Sequence, residues 1–244
     1  RRNRLQPLID LASFDFLGLG PPTRRAFFRP YQVHRASCGR RTLKELFKNF
    51  NASSNPAATM RTMSSVLHAY SERIREAASR HQPLRVRGGG TKDFYGQDLQ
   101  GALLDTRDYQ GVLSYEPSEL VITVCAGTPL AEVEALLAQH GQCLAFEPPH
   151  FATERAQATV GGMVAAGLAG PARASVGSVR DFVLGVRMIN GKGEDLRFGG
   201  QVMKNVAGYD VSRLMAGSLG TLGLITEVSL KVLPVAPAQA TLAC

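Results

Sequence analysis

From Ser64 onward, apolar residues recur at regular spacings along the chain. Val66, Tyr70, Ile74 and Ala77 fall on one helical face and predict a helix of about four turns, ended by the polar segment 79–83. Leu84 to Arg87 reads as a short strand that runs into Gly88, Gly89 and Gly90. Gly111 to Tyr115 and Leu120 to Cys125 read as two further strands, with a turn at Pro117 between them. Thr128 and Pro129 predict a helix start, Thr128 as the cap and Pro129 at the first helical position, where its missing N–H costs nothing. Leu130, Val133, Leu136 and Leu137 form the apolar stripe of that helix, and Gly141 stops it. The segment 159–170, TVGGMVAAGLAG, predicts a small-residue helix and turn in which backbones approach closely. Strands over Phe182 to Ile189 and Glu194 to Phe198 flank Asn190-Gly191-Lys192-Gly193, a strong hairpin signal with Lys192 in solvent. The order of elements is α+β.

The first 60 residues follow neither period. They hold six of the eleven Phe residues, and only Thr42 to Phe50 reads as a short amphipathic helix, with Leu43, Leu46, Phe47 and Phe50 on one side. Charge separates the two regions as well. Residues 1–60 contain nine Arg and two Lys against two Asp and one Glu, a net of +8, whereas the other 184 residues hold 17 basic and 17 acidic side chains. The basic pI therefore belongs to the first quarter, and the rest offers no global electrostatic case for binding nucleic acid. Residues 1–62 are expected to be a basic extension, either poorly ordered or non-native sequence upstream of a start at Met60 or Met63.

Other chemistries lack their spacing. Cys38, Cys125, Cys143 and Cys244 form no CxxC pair, and the five histidines form no HExxH, so no metal centre is expected and an iron–sulfur cluster would have to sit on a partner. A phosphate-binding P-loop ending at Gly191-Lys192 would need glycine where Val186 stands and Ser or Thr where Gly193 stands. Gly88-Gly89-Gly90-Thr91 lacks the GxGxxG spacing of a Rossmann domain. After a strand, it can still turn sharply and point successive N–H groups into one concavity that holds phosphate oxygens. No apolar run reaches the roughly eighteen residues of a spanning helix, and the opening 20 residues lack a secretory signal pattern, so the cytoplasm is the expected compartment.

PLRVRGGGTKDFYG, YEPSELVITVCAGTPL, FEPPHF, the block from ATVGGMVAAGLAG to GKGEDLRFGG, and KNVAGYDVSRLMAGSLGTLGLITEVSLKVLP together make the chain familiar. It resembles the flavin-binding domain of the family that includes vanillyl-alcohol oxidase and p-cresol methylhydroxylase and, more closely, the FAD-binding E-type subunits of bacterial glycolate oxidases. The resemblance runs from about Met63 to Pro234. It implies a two-subdomain, non-Rossmann fold over residues 63–234, with 235–244 as the start of a truncated C-terminal region. It also implies non-covalently bound FAD.

Carried over position by position, Arg87, Gly88, Gly89, Gly90, Thr91 and Lys92 look like the pyrophosphate cradle, Gly127 a residue beside the flavin, and Pro148-Pro149 the entry to its cleft. Ala158, Thr159, Gly161 and Gly162 resemble a second wall, Gly167, Gly177 and Asp181 close-approach positions, and Leu224-Ile225-Thr226 the strand that meets the adenine end. Lys204, Tyr209 and Asp210 belong to KNVAGYD, where Asp210 is expected to cap a helix and Tyr209 to pack near the cofactor. His150 lacks the context of a covalent flavin anchor. Valine at Gly89 or Gly162 is expected to expel flavin while leaving the fold largely intact. The resemblance further implies a second flavoprotein subunit and an iron–sulfur subunit as partners, a small 2-hydroxy acid as substrate, and a cytoplasmic location that extends to the inner-membrane periphery through the complex. Another FAD-dependent 2-hydroxy-acid oxidoreductase and a non-catalytic flavin-domain subunit remain alternatives.

Overall fold

β-Branched and apolar runs assemble into one five-stranded sheet. Its strands are β3 (Val112–Glu116), β4 (Val121–Cys125), β6 (Val183–Ile189), β7 (Asp195–Gly199) and β8 (Leu224–Lys231), in the order β3-β4-β8-β6-β7 and antiparallel throughout. β8 is central and buried along its length except at Lys231, as expected for a strand covered on both faces. A separate two-stranded parallel sheet pairs β1 (Leu84–Arg87) with β2 (Ala102–Asp105), and a short antiparallel pair joins β5 (Gln142–Cys143) to β9 (Leu233–Pro234). These come from a computed structural model that describes residues 56–95, 100–200, 208–238 and 240. The segment 1–55, and with it nearly all of the basic extension, lies outside the described residues.

Helices cover the sheet. α1 (Pro56–Ser79) is followed by α2 (Leu130–Gln139), α3 (Val160–Ala166), α4 (Arg173–Val176), α5 (Val179–Phe182) and α6 (Val211–Leu214). The main core joins Ile122, Val124, Val186, Val228 and Leu230 of the sheet to Leu130, Val133 and Leu137 of α2 and to Val160, Met163 and Val164 of α3. Each such side chain, fully buried, contributes about 1.5–3 kcal/mol relative to exposure. A smaller core sets Leu67, Tyr70 and Ile74 of α1 against Leu104, Tyr109, Ile189 and Leu224. Beside it, Arg187 bridges Glu227, its partner across the strands, and Asp195, while the Tyr109 hydroxyl donates to Glu227 Oε1 at 2.6 Å.

The strand readings hold to within one residue, and the 190–193 hairpin closes with Asn190 Oδ1 accepting from the Lys192 and Glu194 amides. Two helix starts differ from expectation. α1 begins at Pro56, ahead of the first periodic apolar residue, because proline in the first turn and the alanines after it favour helix without any stripe to announce it. At α2, Pro129 is itself the cap, with no side-chain capping bond. Thr128 instead donates to Cys125 O at 2.7 Å and accepts from the Gly111 amide at 2.9 Å, fastening the strand-to-helix turn.

Candidate functional site

α3 organises the site, because both of its ends are held by loops that carry nominated residues. Thr159 caps its start, its hydroxyl accepting from the Gly162 amide at 3.3 Å. Just before the helix, Ala158 O accepts from Leu130 N at 2.8 Å, and Val160 N donates to Thr128 O at 3.0 Å. Gly161 N donates to Ala126 O at 2.8 Å, and Gly127 N to Tyr109 O at 2.9 Å. Gly127, Ala158 and Thr159 are buried, and the amides of Gly127 and Gly161 already have acceptors. The Gly127 and Gly161 amides are thus engaged within the protein and are not open donors.

The loop after β1 is different. Among the described residues, the amides of Gly88, Gly89, Gly90 and Thr91 have no hydrogen-bond acceptor. Gly90 takes φ +73°, the left-handed value that lets consecutive N–H groups share one concavity. The loop is pressed onto the segment before α3, so that a Cβ at Gly89 would overlap the Gln157 carbonyl and one at Gly88 would strike the Thr159 hydroxyl. Valine at Gly89 must therefore displace backbone, which corrects the expectation that this substitution spares the fold. At Gly162 a Cβ meets only Thr159 Oγ1, at 3.1 Å.

Two cations flank the loop. Arg87 is paired with Asp93, at 2.8 Å and 2.7 Å, so its charge is largely answered. Lys92 has no carboxylate within ion-pair reach among the described residues. Its Nζ lies 5.7 Å from the ring centre of Phe151, and partial burial lowers its pKa. Phe151 packs edge-on against Phe94, with ring centres 5.3 Å apart, at the end of the FEPPHF segment that contains half-buried Pro149. His150 turns to α2, its Nε2 2.9 Å from Glu134 Oε2, and burial raises the Glu134 pKa.

The other end of α3 meets a glycine turn that sequence reasoning did not nominate. Gly217 N and Leu219 N donate to Val164 O and Ala165 O at 3.0 and 2.9 Å. Gly167, the left-handed cap of α3, is so close that a Cβ there would lie 2.9 Å from Gly217 Cα. A Cβ at Gly220 would lie 3.7 Å from Val86, which ties this turn to the base of the Gly88 loop. The signal was present in GSLGTLG, with three glycines in seven residues. Gly167, Arg173, Ser178, Arg180, Ala216 and Gly217 line a half-open cavity of about 220 Å³. Nearby, Gly177 turns at φ +101° against Asp181, whose carboxyl is held below its usual pKa range first by the Ser178 amide.

Four nominations fall apart from this cluster or outside it. Ile225 is buried in β8 opposite Met188, inside the sheet ladder. Asp210 does cap α6, accepting from the Arg213 amide at 3.1 Å, but Tyr209 is 97% exposed and packs against nothing described. Lys204 lies outside the described residues. A cleft of about 610 Å³ runs between α1 and the polar face of the sheet at Arg187 and Glu227, and no nominated residue lines it.

Residues 68–199 match the family described as the FAD binding domain. Among curated proteins, the chain is 56% identical over 163 residues to "Glycolate oxidase subunit GlcE" of Escherichia coli (strain K12), covering 67% of this chain and 46% of that protein. It is 32% identical over 159 residues to a "D-lactate dehydrogenase" of Archaeoglobus fulgidus, 62% of this chain and 33% of the other. With "Glycolate oxidase subunit GlcD" of Bacillus subtilis (strain 168) it shares 31% over 173 residues, 70% of this chain and 36% of the other. The chain thus spans less than half the length of these relatives.

Proposed function

Because the chain belongs to the FAD binding domain family, with its non-Rossmann fold of the vanillyl-alcohol oxidase and p-cresol methylhydroxylase type, we propose that it is the flavin-holding component of a glycolate oxidase complex. The observation behind this reading is the run of four consecutive amides, Gly88 to Thr91, that lack acceptors among the described residues, beside Lys92, which has no carboxylate partner among them. Such a row suits a diphosphate, whose oxygens need several short donors and whose charge is eased by one nearby cation. The donor set, and Gly89, where any side chain would have to move the Gln157 backbone, fit FAD.

In this reading Gly88, Gly89, Gly90 and Thr91 hold the diphosphate, Lys92 neutralises part of its charge, and Arg87, fixed by Asp93, keeps the loop in shape. Thr159, Gly161 and Gly162 form the wall along which the molecule extends. Gly127 and Pro149 close its sides, while Gly167, Gly177 and Asp181 shape the far end. Ile225 supports these loops from within the sheet. Bound flavin supplies a two-electron hydride acceptor. The protein's own tasks are to fix its position and leave the substrate end open. In this reading FAD is held without a covalent bond, and His150 is hydrogen-bonded to Glu134.

The substrate is a small 2-hydroxy acid, glycolate oxidised to glyoxylate, a reading supported by the printed names of the two glycolate oxidase relatives. The partners are a second flavoprotein subunit and an iron–sulfur subunit that takes the electrons onward. The location is cytoplasmic, at the membrane periphery when assembled; among the described residues no helix is long and apolar enough to cross a membrane. Residues 63–234 make up the flavin unit. The similarity to a D-lactate dehydrogenase favours a second reading, a different 2-hydroxy acid on the same flavin site.

The test is purification of the chain, a flavin absorption spectrum, and anaerobic mixing with glycolate or D-lactate in the presence of the two partner subunits. One FAD per chain and glycolate-dependent bleaching are expected. A chain that takes up no FAD ends the proposal, and bleaching by D-lactate alone transfers it to the second reading.

A further inference from the structure

We propose that Arg173 and Arg180 form a binding site for the carboxylate of a small hydroxy acid, at the opposite end of α3 from the phosphate-binding loop. The inference rests on the flavin reading above and adds to it the place where the substrate sits.

Both arginines line the cavity of about 220 Å³ whose remaining walls are Gly167, Ser178, Ala216 and Gly217. Such walls carry almost no side-chain bulk, and the volume suits an acid of two or three carbons rather than a nucleotide. Among the described residues neither guanidinium has a carboxylate within ion-pair reach, whereas Arg85, Arg87, Arg187 and Arg213 each do. Two planar guanidinium groups line one small cavity, neither in an ion pair among the described residues although Arg180 is near enough to Asp181 to help lower its pKa, and together they match the paired oxygens of a carboxylate.

Position supports the assignment. The Gly88 to Thr91 amides pack against Thr159, the start of α3, and the arginine cavity includes Gly167, its end. Eight residue steps, from Thr159 to Gly167, separate the two, about 12 Å at about 1.5 Å per residue. A flavin held by its diphosphate at the first site would have room to extend along α3 toward the second, where the two arginines would hold a hydroxy acid by its carboxylate. The diphosphate already has its own donors, so the arginines remain for a second anion.

The test is calorimetric titration of the full chain with oxalate, a non-reacting two-carbon probe, in parallel with measurement of FAD content. Arg173→Gln and Arg180→Gln are surface changes that should leave folding intact, and Arg180→Lys keeps the charge without the fork. Oxalate should bind the unaltered chain and bind at least about tenfold more weakly to each Gln variant, with partial recovery in Arg180→Lys and FAD content the same in all. Oxalate binding that is absent, or equal in all four proteins, overturns the proposal. Loss of FAD in the Gln variants also overturns it, by making the arginines flavin ligands. If the unaltered chain holds no FAD yet the oxalate dependence on both arginines persists, the flavin reading fails and the carboxylate site stands.

Discussion

Lys92 is the residue at which charge, burial and ligand meet. Partial burial lowers its pKa from the ordinary lysine value because the charged form is less well solvated. An anionic diphosphate reverses that bias, so the pKa is higher in the complex than in the free protein. FAD affinity should then be flat at neutral pH and fall as pH rises above the free Lys92 pKa, where the bound state retains a proton that the free state has lost. Lys92→Met should weaken FAD binding about tenfold at neutral pH and remove the alkaline fall. Fluorescence titration across that range checks both, and an unchanged profile in the variant would remove Lys92 from the site. At this scale the glycine triplet was legible because it follows a strand and needs no partner to be noticed. Arg173, Arg180 and Gly217 were not, since their roles depend on which loops fold together, and nothing local marks them.

α3 shows how one short element positions the whole site. The sequence marks it only as a small-residue helix and turn; in the structure Thr159 caps its start and Gly167 is its left-handed stop. Thr159→Val keeps the volume but removes the hydroxyl that accepts from Gly162, which should cost about 1 kcal/mol and lower the melting temperature by about 2–4 °C. Because the Gly88 loop rests on that same residue, FAD affinity should fall with it, while Thr159→Ser should preserve both. Thermal denaturation with and without FAD checks the pair, and a Val variant as stable and as tight as the parent would separate α3 from the loop. Elements with a clear period, such as β4, β6 and α2, were readable to within a residue or so. The start of α1 was hidden because helix propensity there acts without amphipathic pattern, and α4 to α6, at four residues each, are too short to show a period.

Across the whole molecule, the fold class and the exclusion of a Rossmann domain could be read in advance, but the strand order could not. β8 enters between β4 and β6 from about a hundred residues beyond β4, a pairing set by long-range packing that no local window contains. The described apolar contacts of α1 begin at Met63, so a chain starting at that residue should keep its flavin content, and equilibrium dialysis with FAD would show any loss. The most direct measurement of the central claim is an amide NMR titration of the ¹⁵N-labelled chain with FAD. The account predicts large shifts at Gly88, Gly89, Gly90 and Thr91 as their N–H groups gain phosphate acceptors, with much smaller ones at Gly127 and Gly161, whose hydrogens are already bonded to Tyr109 and Ala126. FAD binding that leaves the amides of residues 88–91 unmoved would contradict it.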